Sequence, residues 1–316
     1  IISRLRYLIT IYHMHNLKAN FDKIKPVCKL VLKKHLRKDG NVYHYPNKPQ
    51  MTDSEVITLA VMAEYLSISS ENCLFIKLRC EYKRQFPRLI SRARFNIRRR
   101  KLQWYINEVA AQMAHLLGSS NETLIIDSAP VPICENARIT RSKICKDDVD
   151  VLPDCGWNAI HKRYYYGFKL QLIVTEKGIP IMGSLYPASC HDTHALKSLN
   201  EIERTDCELL ADKGYLSTGL QTSLFDDLKI KLITPLRSNM TKTPSQWNPS
   251  RRYKRKRIET IFSQLLDQFN LRKNYAKTLD GLISRILTKI AAFSVAQFIN
   301  HQNNKPLNHI KYALAS

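Results

Sequence analysis

Residues 165–186 read YYGFKLQLIVTEKGIPIMGSLY, two apolar stretches joined across Glu176-Lys177-Gly178. Tyr165–Val174 alternates apolar and polar side chains and Ile179–Tyr186 resumes after the turn, so the pair predicts an antiparallel hairpin. Working outward, Thr123–Ile126 on one side and Cys207–Ala211 and Lys229–Thr234 on the other are short apolar runs bounded by turn residues, the pattern of buried strands. A helix is expected at His194–Ile202, and a long helical region from Arg252 to about Ile299. Strand, hairpin, helix, strand, then alternation with helices is the order of a mixed α/β sheet. The polar, irregular segment Cys134–Lys162 is read as a long loop.

Upstream of Gly118-Ser119-Ser120 the pattern is helical, which divides the chain into a helical region over residues 1–120 and an α/β domain over 121–316. Thr52-Asp53-Ser54-Glu55 is a capping box opening a helix in which Val56, Leu59, Ala60, Ala63 and Leu66 share a face. Further helices are expected at Asn72–Arg84, Arg88–Leu102 and Gln103–Leu117, the last ending at Gly118. The third presents Arg88, Arg92, Arg94, Arg98, Arg99, Arg100 and Lys101 without one acid, and is expected to be exposed there. Three short helices with a basic third one suit helix-turn-helix binding of DNA, since solvated faces usually mix signs.

Charge points the same way. The 316 residues carry 50 Lys and Arg against 27 Asp and Glu, a net +23, and the first 120 hold 22 of those cations against 8 acids. Such an imbalance repels itself unless a polyanion is near, so double-stranded DNA is the expected partner. No run of about 18 uncharged apolar residues exists, and a membrane partner is not expected. Ile1–Tyr12 is apolar but contains Arg4 and Arg6, which makes a poor secretory signal, and the cytoplasm is the expected compartment. The eight cysteines include no C-x-x-C pair and read as reduced thiols.

Acids at the ends of apolar strands converge at one sheet edge, where carboxylates far apart in sequence can share a cation. Asp127 ends Leu124-Ile125-Ile126, Asp212 ends Leu209-Leu210-Ala211, and Glu259 lies on the helix Lys254–Phe269. Hard divalent cations prefer oxygen ligands, and three carboxylates with open positions suit two-metal phosphoryl transfer. His191-Asp192 is a rival, with Asp192 in place of Asp212; Asp192 also reads simply as a helix cap.

Leu124–Pro132 (LIIDSAPVP), Tyr165–Thr175 (YYGFKLQLIVT), His191-Asp192, Ala211–Tyr215 (ADKGY) and Arg255–Leu265 (RKRIETIFSQL) together resemble the DDE transposases of bacterial insertion sequences. The resemblance implies an RNase H-like catalytic domain with Asp127, Asp212 and Glu259 as catalytic triad and metal ligands. It implies two Mg²⁺ ions, with Mn²⁺ as a substitute, and cleavage and strand transfer at the element's terminal inverted repeats. A homo-oligomer on DNA and association with the bacterial nucleoid follow from it. Related enzymes carry Tyr, Arg, Glu and Lys in fixed spacing; here Arg255 and Glu259 keep the Arg–Glu interval, whereas Arg252 and Leu266 stand at the Tyr and Lys positions.

Around the triad, Arg255 lies one helical turn before Glu259 and is placed to hold the scissile phosphate, with Lys213 beside Asp212 in a similar role. Arg252, Lys254, Lys256 and Arg257 add charge that would track a DNA backbone. Two other functions stay open on the residues alone: an RNase H-like nuclease without strand transfer, and a non-catalytic DNA-binding derivative.

Overall fold

A computed structural model describes residues 16–118, 123–159, 161–194, 196, 205–236, 240 and 247–314. The expectations for Ile1–Tyr12 and for most of His194–Ile202 lie outside the described residues. The chain gathers into two units, residues 1–113 with 284–316, and residues 114–283. The sequence division at residue 120 thus meets a first unit that also draws on the end of the chain.

The first unit contains α1 (Leu17–Leu32), α2 (Asp53–Tyr65), α3 (Glu71–Cys80), α4 (Arg92–Lys101) and most of α5 (Gln103–Leu116). The capping box of α2 is formed: the Thr52 hydroxyl accepts from Glu55 N, and the Glu55 side chain accepts from Thr52 N. Every residue of α2 is buried, so the expected single apolar face is instead a helix wrapped on all sides. Its first acid organises the neighbourhood. Asp53, fully buried, accepts from the backbone of Val42 and Tyr43, from the Tyr45 hydroxyl and from Arg98.

That arrangement corrects the reading of α4. Ser91 caps the helix, which starts at Arg92 rather than Arg88, and Phe95 anchors it in the core. Arg98 turns inward to Asp53 and to the Met51 carbonyl, and Arg99, 3% exposed, pairs with Glu71 at 3.2 Å. Arg100 is half-buried, and Arg88 is exposed but engages Glu55 at 3.1 Å. Arg92, Arg94 and Lys101 remain at the surface. Burying a cation is tolerable only beside an acid, and the acids of α2 and α3, far off in sequence, supply that condition.

The second unit is built on a six-stranded sheet of β1 (Thr123–Cys134), β2 (Asp154–Asn158), β3 (Arg163–Thr175), β4 (Pro180–Pro187), β5 (Glu208–Leu210) and β6 (Lys231–Ile233). β1 and the predicted hairpin β3–β4 are antiparallel neighbours, and β5 then β6 add parallel to β1, with α6 (Thr218–Leu228) between them in sequence. This is the RNase H-style order. The segment read as a loop contains β2, which takes the Arg163–Gly167 half of the β3 edge while β4 takes the Phe168–Val174 half. Leu124, Ile126, Ile173, Leu209 and Leu232 pack with Tyr215 and Leu224 on one face of the sheet. The long helical region resolves into α7 (Pro249–Asp267) and α8 (Leu279–Gln302). Asn248 caps α7 by accepting from Arg251 N, with Pro249 in its first turn.

α8 has an 18-residue window of mean hydropathy 1.5, long and apolar enough to cross a membrane, but 89% of that window is buried in the fold. From residue 284 it belongs to the first unit. There Lys289, fully buried, meets Glu64, and Arg285 reaches both Glu64 and Glu71 at 3.6 Å. With Arg99 on Glu71, three cations share two acids inside that unit.

Candidate active site

Two strand registers bring the first two acids level. β1 and β5 run parallel with Ile125 opposite Leu210, so two residues further along each strand direction Asp127 and Asp212 stand side by side. Their 85-residue separation equals that of the paired Ile125 and Leu210. Alternation puts Thr123 and Asp127 on one face of β1, and α7 lies against it: Lys254 Nζ is 3.3 Å from Thr123 Oγ1, and Arg255 reaches Asp127. One turn on, Glu259 faces the same way.

Arg255 joins the three. Its Nη2 lies 3.0 Å from Asp127 Oδ2 and 4.0 Å from Asp212 Oδ1, while Nη1 donates to Glu259 Oε1 at 2.8 Å. The guanidinium's single charge therefore offsets part of the mutual repulsion of the three carboxylates. Asp127 feels the enclosure most. Burial pushes its pKa up to about 6; the Arg255 charge and the Ser128 N–H donated to Oδ1 oppose that rise, and Asp212 and Asp192 add to it.

Asp192, the rival acid, approaches from the side of Ser128. Its Oδ1 accepts from the Ser128 hydroxyl at 3.0 Å and from Lys169 Nζ at 2.9 Å, and Lys169 also donates to the Cys190 carbonyl. The Tyr215 hydroxyl accepts from Gln171 Nε2 at 3.1 Å, and burial raises the phenol pKa. Asp192 thus has a cation of its own in Lys169, while sharing Ser128 with Asp127 and lying against Gly214. Sequence reasoning misses Lys169, Gln171 and Tyr215, although two polar residues at i and i+2 inside FKLQLIVT are a visible signal of a polar patch on one strand face.

Of the predicted cations, Lys213 is exposed beside Asp212, and Arg252 and Lys256 are exposed on α7. Lys254 is turned to Glu176 at 2.7 Å, and Arg257 packs its aliphatic stem against Gly178. Arg251 is engaged by Glu208. The basic start of α7 is therefore divided between sheet and solvent.

The three acids offer only hard oxygen donors, the chemistry that divalent cations prefer, and the charge now placed among them is a cation. Among the described residues no three His, Cys, Asp or Glu groups are already disposed to hold an ion. In donor type the three carboxylates fit such an ion.

A solved cryo-EM structure, the piggyBac transposase synaptic complex with hairpin DNA, is similar to this chain at a TM-score of 0.45 and 13% identity, over 93% of this chain and 76% of that one. No curated protein matches the chain. The model of the family described as "Transposase DDE domain" matches residues 117–276, half of the chain and the stretch that contains all three carboxylates and Arg255. This chain belongs to the DDE transposase family, whose members carry out metal-dependent phosphoryl transfer on DNA.

Proposed function

We propose that the chain cleaves DNA at the terminal inverted repeats of a mobile element and transfers the freed strand, with Asp127, Asp212 and Glu259 as the catalytic, metal-holding acids. The observation that carries this reading is their convergence on one guanidinium from β1, the end of β5 and α7. Divalent ions, Mg²⁺ with Mn²⁺ as a substitute, supply activation of the attacking oxygen and stabilisation of the leaving one in an in-line displacement. In the first step water attacks phosphorus and the bond to the 3′ oxygen breaks; in the second the freed 3′-hydroxyl attacks a target phosphodiester, whose own P–O3′ bond breaks and leaves a 3′-hydroxyl on the target strand.

The chain's own residues hold and orient. Arg255, released from the carboxylates, is one turn from Glu259 and offers two parallel N–H donors to oxygens of the phosphate being transferred. Lys213 adds a cation beside Asp212, and exposed Arg252 and Lys256 extend it along the DNA backbone, with Lys254 and Arg257 reinforcing the field from the sheet side. In the first unit, Arg92 and Arg94 are the surface arginines of α4 left to meet the element ends, with Arg88 and Arg100 at its margins and Arg98 and Arg99 as supports. Two ends held together call for at least two copies, and the site of action is the nucleoid.

The test is cleavage of end-containing DNA with Mg²⁺. Asp127→Asn, Asp212→Asn and Glu259→Gln are each expected to abolish it while leaving the fold and DNA binding in place. Activity retained by one variant removes that residue from the triad.

A further inference from the structure

Beyond Asp127, β1 continues to Cys134, and the segment after α7 comes to Cys145, whose N–H donates to the Lys277 carbonyl at 2.9 Å. Between the end of β1 and that segment lies a cleft of about 910 Å³. Arg138, Arg141, Lys143, Arg272 and Lys277 line it, against a single acid, Glu135. All five cations are exposed. Arg272 is loosely paired with Asp267 at 3.7 Å, and among the described residues no carboxylate pairs with the other four.

The walls are pinned. Asn136 Nδ2 donates to the Tyr164 carbonyl at 2.9 Å, Cys145 adopts φ 53°, and Asp147 Oδ1 accepts from Leu279 N at 3.0 Å, capping α8. With a single acid among them, these exposed cations give the cleft a positive potential that favours an anion. A small anion would satisfy one or two. The cleft begins five to seven residues beyond Asp127, roughly 17–23 Å along a strand rising about 3.3 Å per residue. At about 3.4 Å per nucleotide step, that is roughly five to seven base pairs.

We infer that this cleft takes the sugar-phosphate backbone of duplex DNA about five to seven base pairs from the phosphodiester at the carboxylate cluster. The inference rests on the reading of Asp127, Asp212 and Glu259 as the centre that acts on DNA. It assigns to the segment between β1 and β2 a register role: one strand direction carries both the site of reaction and the grip on flanking duplex.

The experiment uses the full chain with Arg138, Arg141, Lys143 and Lys277 replaced together by Gln, and a labelled duplex of about 40 base pairs titrated across a salt series. For each DNA phosphate that these side chains neutralise, the replacement should lower the slope of log affinity against log salt by about 0.9. An unchanged slope overturns the inference, and is the outcome expected if the cleft binds an acidic protein instead. Cys134 lines the cleft and gives a second reading without substitution. In the unaltered protein, duplex DNA should slow alkylation of Cys134 several-fold by peptide mass mapping, and an unprotected thiol is equally fatal. The triad is tested separately by cleavage in Asp127→Asn, so either proposal can fail alone.

Discussion

Arg255 is the residue on which the proposed chemistry turns. Its planar fork meets Asp127 and Glu259 at once, an arrangement a lysine reproduces poorly. Arg255→Lys keeps the charge and is expected to slow cleavage by at least about tenfold, about 1.4 kcal/mol of barrier, with DNA affinity nearly unchanged. Arg255→Ala has a different signature. Without the guanidinium the carboxylates face each other, and because Asp212 and Glu259 are more than half exposed the cost is expected to be about 1 kcal/mol. A divalent cation substitutes for the missing charge, so Mg²⁺ should raise the melting temperature of Arg255→Ala more than that of the unaltered protein. Equal shifts would show that the acids and the metal do not meet. The same variant moves Asp127. Arg255 now lowers that carboxyl's pKa, so its titration, followed by carboxyl NMR without metal, should shift upward from about 6. Since this folded value lies above the ordinary 3.8, stability from this group is full below 3.8 and lost as pH rises through about 6.

Among the elements, β1 explains both what the sequence discloses and what it hides. Its first half, Thr123–Ile126, is legible because it is buried on both faces and reads as an unbroken apolar run. The second half carries Pro130 and Pro132, which argue against a strand. They are tolerated because β5 pairs only with Thr123–Ile125, leaving β1 an open edge beyond, toward which alternate prolines direct the missing N–H groups while β3 pairs on the other side. β2 is hidden because DCGWN has neither alternation nor burial to mark it. The convergence of Asp127, Asp212 and Glu259 is legible since each acid closes an apolar strand or sits a turn from Arg255; the inward turn of Arg98 and Arg99 is not, because their partners Asp53 and Glu71 are set by tertiary packing. A local device fixes the strand pairing. Gly167 has φ +150°, and a Cβ there would fall 2.4 Å from the Val131 carbonyl oxygen, next to the register shift of β1. Gly167→Ala is expected to cost about 1–3 kcal/mol, read by denaturant unfolding; a smaller effect would mean that the backbone relaxes without strain.

At the scale of the whole molecule, the first unit draws on residues both before and after the sheet unit. Glu64 of α2 sits between Lys289 and Arg285 of α8, and Glu71 between Arg285 and Arg99. Removing one partner of a buried ion network leaves charge uncompensated, so Glu64→Gln is expected to destabilise by about 3–5 kcal/mol in thermal unfolding. A loss below about 1 kcal/mol would mean that water already reaches these groups. The discontinuity also sets a timetable. Residues 1–113 leave the ribosome before the sheet unit, yet the buried Glu64 and Glu71 wait for Arg285 and Lys289, which arrive after that unit has been made. At about 5–20 residues per second, the roughly 200 intervening residues impose a delay of about 10–40 s. The part translated before the sheet unit is thus completed after it, and a polypeptide released before residue 284 carries every acid of the proposed cleavage site together with a helical unit whose buried Glu64 lacks both its cations, while Glu71 keeps Arg99.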